Sequence, residues 1–168
     1  MELLRAAVIF VEGTSKVKIE AWRRRWDPIM AERVPAHITL IFPNEAHDGQ
    51  VLLDRAEKAC RRRPSFSLGL LGVTCPNGRP EELVFVEVHD EEGSFVQLRS
   101  ELLGSPCALS GMAAPHITIV HPATSSLGKE AWESLRGNRL DESLVVTKIS
   151  IIESSGQAWT RVAQVNLG

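Results

Sequence analysis

The sequence predicts an α+β fold: two similar lobes about a pseudo-twofold axis, two antiparallel-rich sheets facing a central cleft, and helices outside. Two observations lead there. Val34 to Pro43 reads Val-Pro-Ala-His-Ile-Thr-Leu-Ile-Phe-Pro, and Ala114 to Pro122 reads Ala-Pro-His-Ile-Thr-Ile-Val-His-Pro. Aligned on their histidines, the stretches lie 116 − 37 = 79 residues apart, nearly half of the 168. Strand-period and helix-period patterns then alternate in the same order around each stretch, which is the signature of an internal repeat.

The elements follow in chain order. Glu2 to Val11 is a β-rich apolar run. Gly13-Thr14-Ser15 supplies capping residues for a helix that places Ile19, Trp22 and Trp26 at spacings of three and four. Asp27-Pro28 sets a cap and a proline at the first position of a short helix reaching Arg33. The His37 strand follows. Asp48 then opens a helix with Leu52, Ala56 and Ala59 on one face, ended by Pro64. Phe66, Leu68 and Leu70 alternate as a strand, and Asn77-Gly78 marks a turn. In the second half, Leu83 to Val88 is a strand, and Phe95, Leu98 and Leu102 mark a helix stopping at Gly104. The His116 strand comes next, then a helix with Leu127, Ala131 and Leu135 ending at Gly137. Leu144 to Ile152 and Trp159 to Leu167 are two closing strands about a hairpin at Ser154-Ser155-Gly156. Each half reads strand, helix, strand, helix, strand, with one strand left over.

No stretch has a linker composition, so residues 1–168 are expected to form a single domain of two pseudo-repeated lobes. Apolar residues make up 43% and charged residues 24%, which excludes wholesale disorder. The longest apolar run, Ala6 to Val11, is far short of a membrane span, and no charged segment leads into an apolar one as in a secretory signal. Cys60, Cys75 and Cys107 are odd in number and lack C-x-x-C spacing. They point away from a disulfide framework or structural zinc and toward a reducing, cytoplasmic setting. The net charge of −2 gives no bulk attraction for nucleic acid, and a monomer is expected.

In a strand, residues i and i+2 share a face, so His37 projects with Thr39 and His116 with Thr118. If a pseudo-twofold axis relates the lobes, the two pairs face each other across the cleft. Imidazole titrates near neutrality. Two of them, one neutral and one protonated, suit displacement at phosphorus: one takes the attacking oxygen's proton while the other protonates the leaving oxygen. The threonine hydroxyls would hold the nonbridging oxygens in line. No metal or cofactor is required.

These two motifs, His37-Ile38-Thr39-Leu40 and His116-Ile117-Thr118-Ile119, with Pro35 and Pro115 nearby, resemble the two-histidine (2H) phosphoesterase superfamily. The Pro-Ala-His-Ile-Thr-Leu-Ile-Phe-Pro stretch is especially similar to its 2′-5′ RNA ligase-like branch. The resemblance covers essentially the whole chain. It implies a bilobal α+β fold and cofactor-independent chemistry on a 2′,3′-cyclic phosphate or 2′-5′ phosphodiester of a nucleotide or RNA end. It also implies His37 and His116 as the catalytic pair, with Thr39 and Thr118 binding phosphate. A binding module of the same fold, taking a nucleotide or RNA end with little turnover, is the alternative; two intact proton carriers favour the enzyme. A purely structural interaction domain is disfavoured by the paired polar motifs.

Other features read as structural. The threonines are also β-branched strand formers. His121, five residues after His116, would point away from it in a regular strand, as a structural or rim residue. His47 and His89 have no partner in the other half, and there is no H-E-x-x-H. Arg23-Arg24-Arg25 and Arg61-Arg62-Arg63 read as solvated helix faces, and the four tryptophans as packing anchors.

Overall fold

A computed structural model of the protein describes residues 3–107, 113–154 and 156–168. In chain order the elements are β1 (Leu4–Phe10), α1 (Thr14–Trp26), α2 (Pro28–Arg33), β2 (His37–Ile41), α3 (Gly49–Arg61), β3 (Phe66–Thr74), β4 (Val84–His89), α4 (Ser94–Leu103), β5 (His116–Val120), α5 (Gly128–Leu135), β6 (Arg139–Val146), β7 (Lys148–Ser154) and β8 (Trp159–Asn166). The α+β alternation is as the sequence predicts. Glu2 and Ser155, at the edges of two expected elements, lie outside the described residues.

All eight strands hydrogen-bond in the order β6-β3-β4-β5-β2-β1-β7-β8, with antiparallel neighbours throughout. The two expected sheets are therefore two four-stranded halves of one sheet, joined where β2 meets β5 at the pair Ile38↔Ile117. The halves do not follow the halves of the chain. β3, from the first half of the sequence, pairs with β4 and β6; β7, from the second, pairs with β1. One strand, β3, thus crosses in one direction, and two, β7 and β8, cross in the other.

The stretch read as one strand, Leu144–Ile152, divides at Thr147 between β6 and β7. Val146 pairs with Phe66 at one end of the sheet order, while Lys148 pairs with Asn166 at the other. One intervening residue spans only a few ångströms. The sheet must therefore curl until its distant strands meet at Thr147, which accounts for a cleft enclosed by strands.

The motif strands carry the same burial pattern: Ile38, Leu40 and Ile41 are buried in β2, and Ile117, Ile119 and Val120 in β5, leaving His37, Thr39, His116 and Thr118 half-buried on the other face. Full burial of an aliphatic side chain contributes about 1.5–3 kcal/mol, so this alternation fixes the register that turns both His/Thr pairs outward from the core. Helix α3 starts as expected, with the Asp48 carboxylate accepting from the Gln50 and Val51 amides at 2.9 and 3.1 Å, and it buries Leu52, Ala56 and Ala59. Helix α4 buries Phe95, Leu98 and Leu102. It ends where Gly104, at φ +75°, takes the left-handed conformation that glycine adopts without strain.

Helix α1 departs from expectation in two ways. Thr14 and Ser15 do not cap it; both hydroxyls donate to the Glu142 carboxylate on β6. Its buried face is Ser15, Ile19, Glu20 and Arg23, with Trp22 and Trp26 only half-buried. Arg23 is therefore not part of a solvated face, although Arg24 and Arg25 are exposed.

Candidate active site

The pairing Ile38↔Ile117 places the pseudo-twofold relation between the two motif strands. Extended by one residue in each direction, an antiparallel register sets His37 opposite Thr118 and Thr39 opposite His116. All four side chains line one cavity of about 320 Å³. The sequence thus named four residues that the fold brings together.

The two imidazoles are held alike. His37 Nδ1 lies 2.8 Å from the Pro35 carbonyl and His116 Nδ1 lies 2.8 Å from the Ala114 carbonyl. A carbonyl only accepts, so each Nδ1 carries the hydrogen, and each neutral ring keeps its lone pair on Nε2. Each ring also meets a phenyl edge: Phe10 on β1 at 6.4 Å from His37, and Phe85 on β4 at 5.4 Å from His116, centroid to centroid.

Desolvation lowers the pKa of both rings. His37 is brought to about 4; its bond to Pro35 opposes the shift, while Arg23 and His116 add to it. His116 moves the same way, with its bond to Ala114 opposing and His121 adding to the shift. The free protein near neutral pH therefore holds two neutral imidazoles. An anion between them would favour the protonated form and raise both values.

This has a consequence for stability. Between about pH 4 and 6.5 the unfolded chain binds a proton at His37 that the folded protein does not. The contribution of His37 to stability is thus fully present above pH 6.5 and is lost as pH falls to about 4. Urea midpoints taken across that window should drop more steeply for the natural protein than for His37→Asn. Equal slopes would show that His37 titrates normally.

Two buried clamps set the loops around the cavity, and they run crosswise. Helix α4 packs against β2, and α1 against β5. On α4, Arg99 bonds the Leu40 carbonyl and grips the Glu45 carboxylate at 2.6 and 3.0 Å, fixing the loop after β2. Between α1 and α2, fully buried Asp27 caps α2 by accepting from the Met30 amide at 3.1 Å. Its other oxygen accepts from the His121 amide at 2.9 Å and the Thr124 hydroxyl at 2.7 Å, fixing the loop after β5. Glu20 and Arg23 secure the chain leading into β2: Arg23 donates to Glu20 at 3.1 Å and to the Val34 carbonyl at 2.8 Å, while Glu20 accepts from the Ala36 amide at 2.6 Å.

Among the other residues lining the cavity, His121, Arg23 and Trp159 bear most on its chemistry and were not recognised from sequence. His121 lines the cavity instead of pointing away, because β5 ends at Val120 and strand alternation no longer applies. Its Nδ1 accepts from the Ala123 amide at 3.1 Å, so the neutral ring carries its hydrogen on Nε2, as a donor, opposite to His37 and His116. The 79-residue offset held the clue, since it equates His121 with Phe42, another lining residue. Arg23 also lines the cavity, and Ser15, Ile19 and Arg23 at i, i+4 and i+8 had marked its face. Trp159 lines it as well, and no local pattern signals that. His47 and His89 lie outside it. Burial raises the Cys60 thiol to about 11 and raises Cys75 too, opposite to what a nucleophilic thiolate needs. Among the described residues no three histidine, cysteine or acidic side chains converge as a metal-ligand set.

A curled antiparallel sheet opening paired His-x-Thr strands onto one cavity puts the protein in the two-histidine phosphoesterase class. More narrowly, the chain belongs to the 2′-5′ RNA ligase superfamily, whose family model matches residues 11–158. Solved structures agree on the fold. E. coli LigT complexed with NADP+ superposes with a TM-score of 0.69 at 19% identity, and LigT complexed with 3′-AMP with 0.68 at 18%, each over 99% of both chains. TT0787 of Thermus thermophilus gives 0.62 at 17%, over 99% of this chain and 98% of that one. Comparison with curated proteins by sequence gives no significant match.

Proposed function

We propose that the protein is a metal-independent phosphoesterase acting on a 2′,3′-cyclic phosphate or 2′-5′ phosphodiester of a nucleotide or RNA end. His37 and His116 are its acid–base pair, and Thr39 and Thr118 bind the phosphoryl oxygens. The observation that carries this reading is the matched pair of Nδ1-anchored imidazoles with a threonine opposite each, lining a single cavity. Anchoring fixes the tautomer, so each Nε2 is preset to take or give one proton along the attack line. Binding the anionic diester raises the ring pKa values, which supplies the one imidazolium the leaving oxygen needs. The threonine hydroxyls and the His121 Nε2–H donate to the nonbridging oxygens as charge develops there. The crystallisation of LigT with 3′-AMP is in keeping with a nucleotide ligand.

The test is hydrolysis of adenosine 2′,3′-cyclic phosphate before and after exhaustive EDTA treatment, with a short 2′-5′-linked oligonucleotide in parallel. Turnover is expected to survive chelation. Loss of activity restored by a divalent ion would replace the acid–base mechanism with a metal one.

A further inference from the structure

The central cavity has a flank on each side, and the two are built alike but charged oppositely. On the His37 side, a hollow of about 350 Å³ shares Trp159 with the central cavity; it also takes in Phe10, which edges His37, and Pro35, whose carbonyl anchors it. On the His116 side, a hollow of about 550 Å³ shares His116 itself, with Phe85 and Ala114 in the equivalent places. The first hollow is lined by Lys16, Lys148 and Arg161 against one carboxylate, Glu12. The second is lined by Glu87 and by Glu82, which pairs with Arg79 at 2.5 Å, with no lysine or arginine among its described lining residues.

The cations of the first flank are not used up internally. Lys148 pairs with Glu12 at 2.8 Å, but Arg161 bonds only the neutral Gln164 at 3.2 Å, and Lys16 is in no ion pair among the described residues. The protein as a whole carries −2, so this positive field is local. A symmetric pair of His/Thr motifs would accept a phosphodiester in either orientation; unequal flanks allow only one. The apolar faces of Phe10 and Trp159 in the same hollow suit a nucleoside between the two charged groups.

We propose that the flank formed by Lys16, Lys148 and Arg161 beside Trp159 is a subsite for a second phosphate of the substrate. Resting on the phosphoesterase reading of the central cavity, this narrows the substrate to a ribonucleotide end that carries a further phosphate on its 5′ side. That phosphate is either a terminal 5′-phosphate or the next link of an RNA strand. The strand side of the substrate lies against His37, and the acidic flank beyond His116 excludes it.

Binding to the whole protein, measured by calorimetry at low salt, tests this without requiring turnover. The probes are adenosine 2′-phosphate, adenosine 2′,5′-bisphosphate and a trinucleotide ending in a 2′-phosphate. Three surface cations acting together should make the bisphosphate bind about 10-fold more tightly than the monophosphate, a preference that fades as salt rises. In the variant Lys16→Gln/Lys148→Gln/Arg161→Gln, the two should bind within about twofold of each other. Glu82→Gln/Glu87→Gln should keep the preference. The trinucleotide outbinding the bisphosphate assigns the subsite to a strand, and the reverse assigns it to a terminal phosphate. Equal affinities in the natural protein, or a preference surviving the triple substitution, overturn the subsite. Preference without hydrolysis of the cyclic phosphate would instead remove the phosphoesterase reading and leave the subsite standing.

Discussion

His37→Ala and His116→Ala are each expected to lower turnover of a 2′,3′-cyclic phosphate by about 10²–10⁴-fold, the usual contribution of one positioned proton carrier. The double variant should lose less than the product of the two, because the imidazoles act as a unit. Thr39→Ala and Thr118→Ala should be milder, each removing one hydrogen bond to an anion, on the order of 1.5–3 kcal/mol. The pH profile carries a second signature. Both free-protein pKa values are depressed, so the singly protonated pair exists mainly below about pH 6.5, and kcat/KM should peak there. The bound phosphate raises the pair, so the bell for kcat should sit at higher pH than that for kcat/KM. The limbs belong to the coupled pair and assign neither residue as the base. Near-natural turnover in His116→Ala would leave one imidazole working alone and end the two-histidine mechanism.

Glu20→Ala is expected to cost about 3–5 kcal/mol of stability, read from urea unfolding, because it strands a buried guanidinium. Arg23 is 1% exposed; among the described residues its Nε has no partner, and Glu20 is its one salt-bridge partner. Desolvation lowers the Arg23 pKa and the Glu20 charge opposes that shift, so removing Glu20 takes away the main compensation. The same substitution frees the Ala36 amide just before His37. Activity should therefore fall in whatever protein stays folded. Replacing both, as Glu20→Gln/Arg23→Met, should cost less than Glu20→Ala alone, since no unpaired charge remains. A loss under about 1 kcal/mol for Glu20→Ala would mean that water reaches Arg23 and the clamp holds nothing.

The motif strands were legible because two short-range signals coincided in them. Period-two alternation said which residues share a face, and the 79-residue repeat said that two such faces belong together. The faces of α3 and α4 were legible for the same local reason: Leu52, Ala56 and Ala59, and Phe95, Leu98 and Leu102, keep helical spacing. Strand partners were not legible. Leu144–Ile152 carries no signal that pairing changes from Phe66 to Asn166 within three residues. The buried charges were missed because pattern reading assigns arginine to solvent. Arg23 and Arg99 are accommodated by the carbonyls of Val34 and Leu40, acceptors supplied by the tertiary fold. Trp159 reaches the cavity only because β8 folds back along β7.

The exchange of β3 and β7 governs the order in which the chain can assemble. Leu4 pairs with Ser154 across 150 residues of sequence, so β1 has no partner on its outer side until nearly the whole polypeptide has emerged. β3 gains β4 soon after synthesis but waits for β6, more than sixty residues further on. Contacts between such remote segments carry a large loop-closure cost before they return any energy, which slows folding. The first 80 residues, released alone, would expose both long edges of an incomplete sheet, a surface prone to pair with other chains. Cutting the chain between its two sequence repeats should therefore yield fragments that gain structure only on recombining, the first supplying β3 and the second β7 with β8.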